Sequence, residues 1–194
     1  MKIGIYGGTF NPPHLGHLVT AEHILREFKL DFIYFIPVYQ TRYKEIKIKA
    51  EVRYRMLRLA LNGNKKLVPN SIEIDSKDIS YTIDTIKKIY RPGNRYYLII
   101  GNEWLPGFNK WKGYREIFTY CRLIVARRTG NRMSIPAFLR PFRKKIFISS
   151  NPLIEISSSR IQEMRKKGMN IKYCTTPKVY DYIQRNRLYD GRRK

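Results

Sequence analysis

The chain predicts an α/β fold built on a doubly wound, mostly parallel sheet, and three observations carry that reading. Segments with strand character alternate with segments of helical periodicity along the whole length. Three apolar runs, Phe32–Ile36, Tyr96–Ile100 and Leu123–Ala126, are continuous rather than alternating, as in strands covered on both faces. Two passages into helices are rich in Gly, Pro and Ser, the residues of tight turns and helix starts. At 194 residues the chain is expected to form one domain, 1–194, with an adequate core.

The first strand is Lys2–Tyr6, with Ile3 and Ile5 on one side. Leu15, Leu18, Ala21, Leu25 and Phe28 then recur at helical spacing, predicting a helix from about His14 to Phe28. Between them lies Gly7-Gly8-Thr9-Phe10-Asn11-Pro12-Pro13-His14-Leu15-Gly16-His17. The glycines allow close backbone approach to a ligand. Pro12 and Pro13 stiffen the turn and hand over to the helix. His14 and His17 stand three apart, on one face of the first turn. Free amides and the positive dipole end point the same way, so two imidazoles there make a site for a phosphate chain. Gly16, between them, leaves room for a nucleotide.

Pro37 ends the second strand, and a polar connection runs from Val38 to Lys49. Ala50–Leu61 reads as an amphipathic helix with Val52, Met56, Leu57 and Ala60 inward, stopped at Asn62-Gly63-Asn64. Leu67-Val68 and Ile72-Glu73-Ile74 read as short extended pieces. Ser80-Tyr81-Thr82-Ile83-Asp84-Thr85 opens a helix striped by Ile83, Ile86 and Ile89. After the strand ending at Gly101, a short helix is expected over Trp111–Thr119. Thr129–Pro141 reads as a turn-rich connection, and Ile146–Ile148 as a further strand. Ile156-Ser157-Ser158-Ser159-Arg160-Ile161 opens another helix, in which Ser159 and Gln162 fit a capping box. Thr176-Pro177 starts the last helix, with Val179, Tyr182 and Ile183 inward.

The net charge of +24 points to anionic partners or a strong surface field. Nucleic acid is one candidate, small nucleotides are another, and a lysine-rich composition without function is a third. The basic residues are dispersed, and no nucleic-acid recognition motif accompanies them. Cys121 and Cys174 form neither a disulfide framework nor a metal cluster, which suits the cytoplasm. Met1 leads directly into the first strand, so no signal peptide is expected, and no apolar run is long enough for a membrane. A homo-oligomer is left open. Gly-x-Gly-x-x-Gly and the Walker lysine motif are both absent, and His14-x-x-His17 lacks the spacing of a zinc site.

The run from Gly7 to His17 resembles the GTFxPxHxGH signature of the nucleotidyltransferase superfamily. Its Asn-Pro-Pro-His-Leu-Gly-His form is most similar to bacterial nicotinate-nucleotide adenylyltransferases. The resemblance spans about residues 3–190 and implies a Rossmann-like fold. It also implies the reaction of ATP with nicotinate mononucleotide to give deamido-NAD and pyrophosphate, with Mg²⁺ held mainly by ATP phosphates. By the same resemblance His14 and His17 are catalytic. Gly8, Thr9, Phe10, Gly16, Lys44, Ser157, Ser158 and Ser159 bind ATP. Thr82, Asp84, Thr85, Asn102 and Trp111 bind the pyridine nucleotide, the tryptophan by stacking. Arg53 matches a family arginine. Four departures stand out: Thr41-Arg42-Tyr43 replaces the family's Pro-Pro-His, Asn102 its Ala or Ser, Glu103 its Asp, and Gln162 its Arg. Nicotinamide mononucleotide or phosphopantetheine is the alternative acceptor. A basic nucleic-acid-binding protein on the same fold is the alternative of another class.

Overall fold

The computed structural model describes residues 1–41, 45–130 and 133–191. Six strands, β1 (Lys2–Gly8), β2 (Phe32–Pro37), β3 (Leu67–Pro69), β4 (Arg95–Gly101), β5 (Cys121–Ala126) and β6 (Ile146–Ile148), form one sheet in the order β3-β2-β1-β4-β5-β6. Every pairing is parallel. The doubly wound reading therefore holds, with every pair parallel rather than most. Sequence order reverses between β1 and β4, which pair Ile3 with Tyr96 and Tyr6 with Ile99. A crevice opens at the carboxyl end of such a switch point, and ligands of open α/β sheets bind there.

Helices α1 (Leu15–Glu27) and α2 (Ala50–Leu61) cover one face. Ala21, Ile24, Leu25, Leu57 and Leu61 pack there with Ile33, Phe35 and Ile99. The other face carries α3 (Ile72–Ser76), α4 (Thr82–Ile89) and α5 (Tyr114–Tyr120). Ile3, Ile5, Leu98 and Leu123 meet Ile83, Ile86, Ile117 and Phe118 on that side. Ile3 and Ile5 thus share a face, as their spacing predicts, while Gly4 faces the opposite layer. A Cβ there would sit 2.8 Å from Ile33 Cγ1, so the glycine permits close packing. A third cluster joins α2 to the C-terminal helices α6 (Ser158–Lys166) and α7 (Pro177–Arg185) through Met56, Ile161, Ile171, Val179 and Ile183. It brings the start of α6 back over the carboxyl edge.

Several boundaries differ from expectation. Ile72-Glu73-Ile74 is helical, not extended: Asn70 Oδ1 accepts from the Ile72 N–H at 3.0 Å, and the Ser71 hydroxyl donates to Asp75 at 2.8 Å, closing a helical turn. Trp111 ends a 3₁₀ segment, Asn102–Lys110, instead of opening a helix. Gly113, at φ +61°, makes the break before α5. A second 3₁₀ segment, Ala137–Lys145, occupies the end of the turn-rich connection. None of the helices among the described residues is long and apolar enough to cross a membrane.

Candidate active site

The turn after β1 carries the two histidines into the first turn of α1. His14 is the N-cap residue, with extended backbone (φ −143°, ψ 168°). Its N–H donates to His17 Nδ1 at 3.3 Å. An imidazole that accepts at Nδ1 carries its neutral-form proton on Nε2, so that His17 nitrogen is left as a donor. The two rings stack at 3.7 Å between centroids and 31° between planes. Around His17 stand Tyr6 at 6.2 Å and Phe10 at 5.1 Å, both edge-on. His14 is 3% exposed, and its Nδ1 is buried without a hydrogen-bond partner.

These surroundings set the protonation. Burial, with the Arg128 cation second, pushes the His14 pKa down to about 3. Burial, His14 and Arg128 hold His17 well below the usual imidazole range. Both rings are therefore neutral at pH 7. Burial pushes the Tyr6 hydroxyl up to about 12.

The start of α6 lies against the same turn. The Ser158 hydroxyl donates to the Pro12 carbonyl at 2.8 Å, and the Gln162 amide to the Asn11 carbonyl. The Tyr189 hydroxyl donates to Asn11 Oδ1 at 2.6 Å, and that of Thr175 to the Pro13 carbonyl at 2.8 Å. The N-cap is Ser157, whose Oγ accepts from the Arg160 N–H at 3.2 Å. The capping box read at Ser159 and Gln162 does not form, because Gln162 is spent on Asn11. Ser159 is exposed at the helix start. The two helix beginnings therefore lie against each other, and Gly16 lies at their seam. A Cβ on Gly16 would stand 3.0 Å from His14 Nδ1 and 3.5 Å from the Ile156 carbonyl.

The remaining predicted residues divide by what they touch. Thr9 is exposed, while Phe10 is buried at φ +45° among Tyr6, Phe35 and His17; it offers a nucleotide backbone only. Gly8 packs under the Phe10 ring, 3.2 Å from a notional Cβ. Lys44 lies outside the described residues. Thr82 is the first residue of α4, half-buried, and Asp84 pairs with Lys112 at 2.7 Å. Thr85 is buried, its hydroxyl donating to Glu73 Oε1 at 2.6 Å, so its side chain turns inward. Asn102 is buried and accepts from the Arg128 N–H at 2.9 Å, bracing the turn after β5. Trp111 is half-buried against Phe108 (5.0 Å) and Trp104 (5.9 Å). Arg53, which its charge would place on the surface, is fully buried.

Arg128 is the site residue that spacing alone does not reveal. It is the second residue past β5, and Nη1 bonds Glu103 Oε1 at 2.7 Å. The Glu103 carboxylate folds back over Gly101 at the end of β4, where a Cβ would fall 2.0 Å from Oε2. The Arg128 charge reaches Tyr6, His14 and His17 alike. The only sequence signal is the basic pair Arg127-Arg128 at a strand's carboxyl end.

Two helix starts, a histidine pair and an arginine gathered at the carboxyl edge of the switch point are suited to hold a nucleotide's phosphates. The comparisons with known proteins agree. Residues 5–164 match the family described as cytidylyltransferase-like, so the chain is a nucleotidyltransferase of that family. A probable nicotinate-nucleotide adenylyltransferase of Dictyoglomus turgidum is 37% identical, over 97% of this chain and 96% of the relative. One from Caldicellulosiruptor saccharolyticus is 32% identical, over 97% and 99%. The chain belongs to the nicotinate-nucleotide adenylyltransferase family. Its fold is similar to that of Plasmodium falciparum nicotinic acid mononucleotide adenylyltransferase complexed with NaAD, at a TM-score of 0.77 and 20% identity, covering 97% of each chain.

Proposed function

We propose that this chain transfers the adenylyl group of ATP to nicotinate mononucleotide, releasing pyrophosphate and forming deamido-NAD. A phosphate oxygen of the mononucleotide attacks the α-phosphorus, and the bond to the pyrophosphate oxygen breaks. The nucleophile is already an anion, so no general base is required. Catalysis then rests on alignment and on neutralising the charge of the α-phosphate and the leaving group. The observation that carries this reading is the joining of the α1 and α6 starts through Ser158 and Pro12.

His17 offers a neutral Nε2–H donor whose direction is fixed by the bond at Nδ1. The His17 Nδ1 lone pair is engaged by the His14 N–H, so that ring steadies the departing charge by donating a hydrogen bond rather than by taking up a proton. Arg128 supplies the permanent cation, and Glu103 holds it until phosphate competes for it. The Ser157 and Ser159 hydroxyls and the amides at the start of α6 receive the triphosphate, while Ser158, whose hydroxyl is given to the Pro12 carbonyl, contributes its amide. Gly8, Thr9, Phe10 and Gly16 line the nucleotide through backbone. Lys44 belongs to the ATP side by its motif alone.

At the acceptor end, the amides opening α4 at Thr82 suit the pyridine carboxylate, with Asp84 beside them and Trp111 as the stacking ring. Thr85 and Asn102 act by bracing, Thr85 through Glu73 and Asn102 through Arg128. Among the described residues no three His, Cys, Asp or Glu side chains come together as metal ligands. A Mg²⁺ would be held mainly by the nucleotide's phosphate oxygens. The reaction is assigned to the cytoplasm, which two unpaired cysteines, Cys121 and Cys174, support.

Pyrophosphate release measured with ATP and each acceptor tests this. The largest kcat/KM is expected with nicotinate mononucleotide. Preference for nicotinamide mononucleotide or phosphopantetheine would refute the substrate. Absence of turnover with tight, steeply salt-dependent oligonucleotide binding would refute the enzyme.

A further inference from the structure

Two substrate-binding turns of a transferase must be held at a fixed separation, and one buried group is built to do so. Arg53, within α2, is 0% exposed. Its Nε donates to the Ile48 carbonyl at 3.1 Å, Nη1 to the Thr9 carbonyl at 2.9 Å, and Nη2 to the Tyr39 carbonyl at 2.9 Å. Among the described residues it forms no ion pair. Burial holds its pKa below the ordinary arginine value. A buried cation satisfied by backbone dipoles costs desolvation that an apolar side chain would avoid. What the guanidinium adds is a rigid planar fork that joins several segments at once.

Those segments matter. Thr9 belongs to the nucleotide turn after β1. Tyr39 lies after β2, and its N–H donates to Ser80 Oγ at 3.0 Å. The Ser80 N–H in turn donates to the Gln40 carbonyl at 3.0 Å. A continuous hydrogen-bonded path therefore runs from Thr9 through Arg53 and Tyr39 to Ser80, at the entrance to α4. The phosphate turn stands at one end and the acceptor segment at the other.

We propose that Arg53 is a positioning residue that sets the spacing between the nucleotide turn and the acceptor segment, with Ser80 as the far end of the same strut. This rests on the adenylyl-transfer reading above. It touches no reacting atom, and its effect appears as misalignment of the attacking phosphate against ATP.

The test is a double-mutant cycle of Arg53→Lys and Ser80→Ala, with kcat and KM for both substrates and thermal unfolding recorded for each protein. Lysine keeps the charge and loses the fork. Each single change should lower kcat/KM for the mononucleotide about tenfold or more. The double variant should fall no further than the weaker single, because either change opens the same strut. Multiplicative losses, or a lowered Tm with kcat/KM intact, would overturn the proposal. Should Arg53→Lys fail to fold, Ser80→Ala decides alone. It must lower mononucleotide kcat/KM while ATP binding, titrated without acceptor, stays within about twofold; unchanged kcat/KM overturns the strut. An active wild type with indifferent variants fails the strut only, whereas an inactive wild type fails the functional reading and the strut with it.

Discussion

Gly16→Ala separates stability from activity at the seam of the two helix starts. The added methyl would stand 3.0 Å from His14 Nδ1 and 3.1 Å from Cε1. That is about 0.5 Å inside an optimal non-bonded separation of about 3.5 Å. The imidazole has little room to retreat, because the His17 ring is stacked 3.7 Å away and the site is close-packed. The methyl also meets the Ile156 carbonyl at 3.5 Å, an ordinary van der Waals contact. Gly16 sits inside α1 and has no positive φ. Alanine there is conformationally favoured by up to about 1 kcal/mol, which offsets much of the overlap. Net stability should therefore change by less than about 1 kcal/mol. A catalytic pair displaced by about half an ångström should lose roughly tenfold in kcat, scaled from about 10²-fold for a 1 Å misplacement. Thermal unfolding and pyrophosphate release on one preparation give both numbers. Wild-type kcat in a folded Gly16→Ala protein would refute the claim that His14 is fixed for catalysis.

His17→Ala should lower turnover by about 10²-fold or more, the scale for losing one oriented donor at developing charge; near-normal turnover in steady-state assays would remove His17 from the mechanism. Arg128→Met should lower kcat/KM for ATP by about 10²-fold, while Glu103→Gln, which frees the arginine, should keep it within about tenfold of wild type. The reverse ranking would contradict the role given to the pair. Both histidines have folded pKa values below the ordinary 6.5, His14 at about 3. Below about pH 6.5 the unfolded chain therefore takes up protons that the folded site refuses, so stability is full above that pH and lost as pH falls towards 3. The loss is about 1.4 kcal/mol per pH unit per histidine. Urea unfolding at pH 7 and pH 5.5 should show it, and His14→Gln should flatten the dependence; an equal slope in the variant would contradict the assignment.

Much of this was legible from residue order. The turn after β1 announces itself because its Gly, Pro and His residues each answer a different local requirement. The strands were visible because parallel strands covered on both faces are uninterrupted apolar runs. Ile72-Glu73-Ile74 misled because its apolar spacing of two fits a strand, whereas Asn70 and Ser71 close the chain into a helical turn. Arg53 occupies an inward position of α2, but a cation there reads as surface until its three carbonyl partners are brought together by the fold. Arg128 depends on topology: only the adjacency of β4 and β5 sets it against Glu103 and beside the histidines. Glu103 and Gln162, which depart from the family pattern, are both engaged, one with Arg128 and the other with the Asn11 carbonyl.

The most direct measurement is a crystal structure with a non-hydrolysable ATP analogue. Its phosphate oxygens should lie within hydrogen-bond distance of His17 Nε2, of the amides at Ser157–Ser159 and of the Ser157 and Ser159 hydroxyls, with the α-phosphate facing the start of α4. An analogue whose phosphates touched neither helix start, in protein that still turns over ATP, would contradict the account.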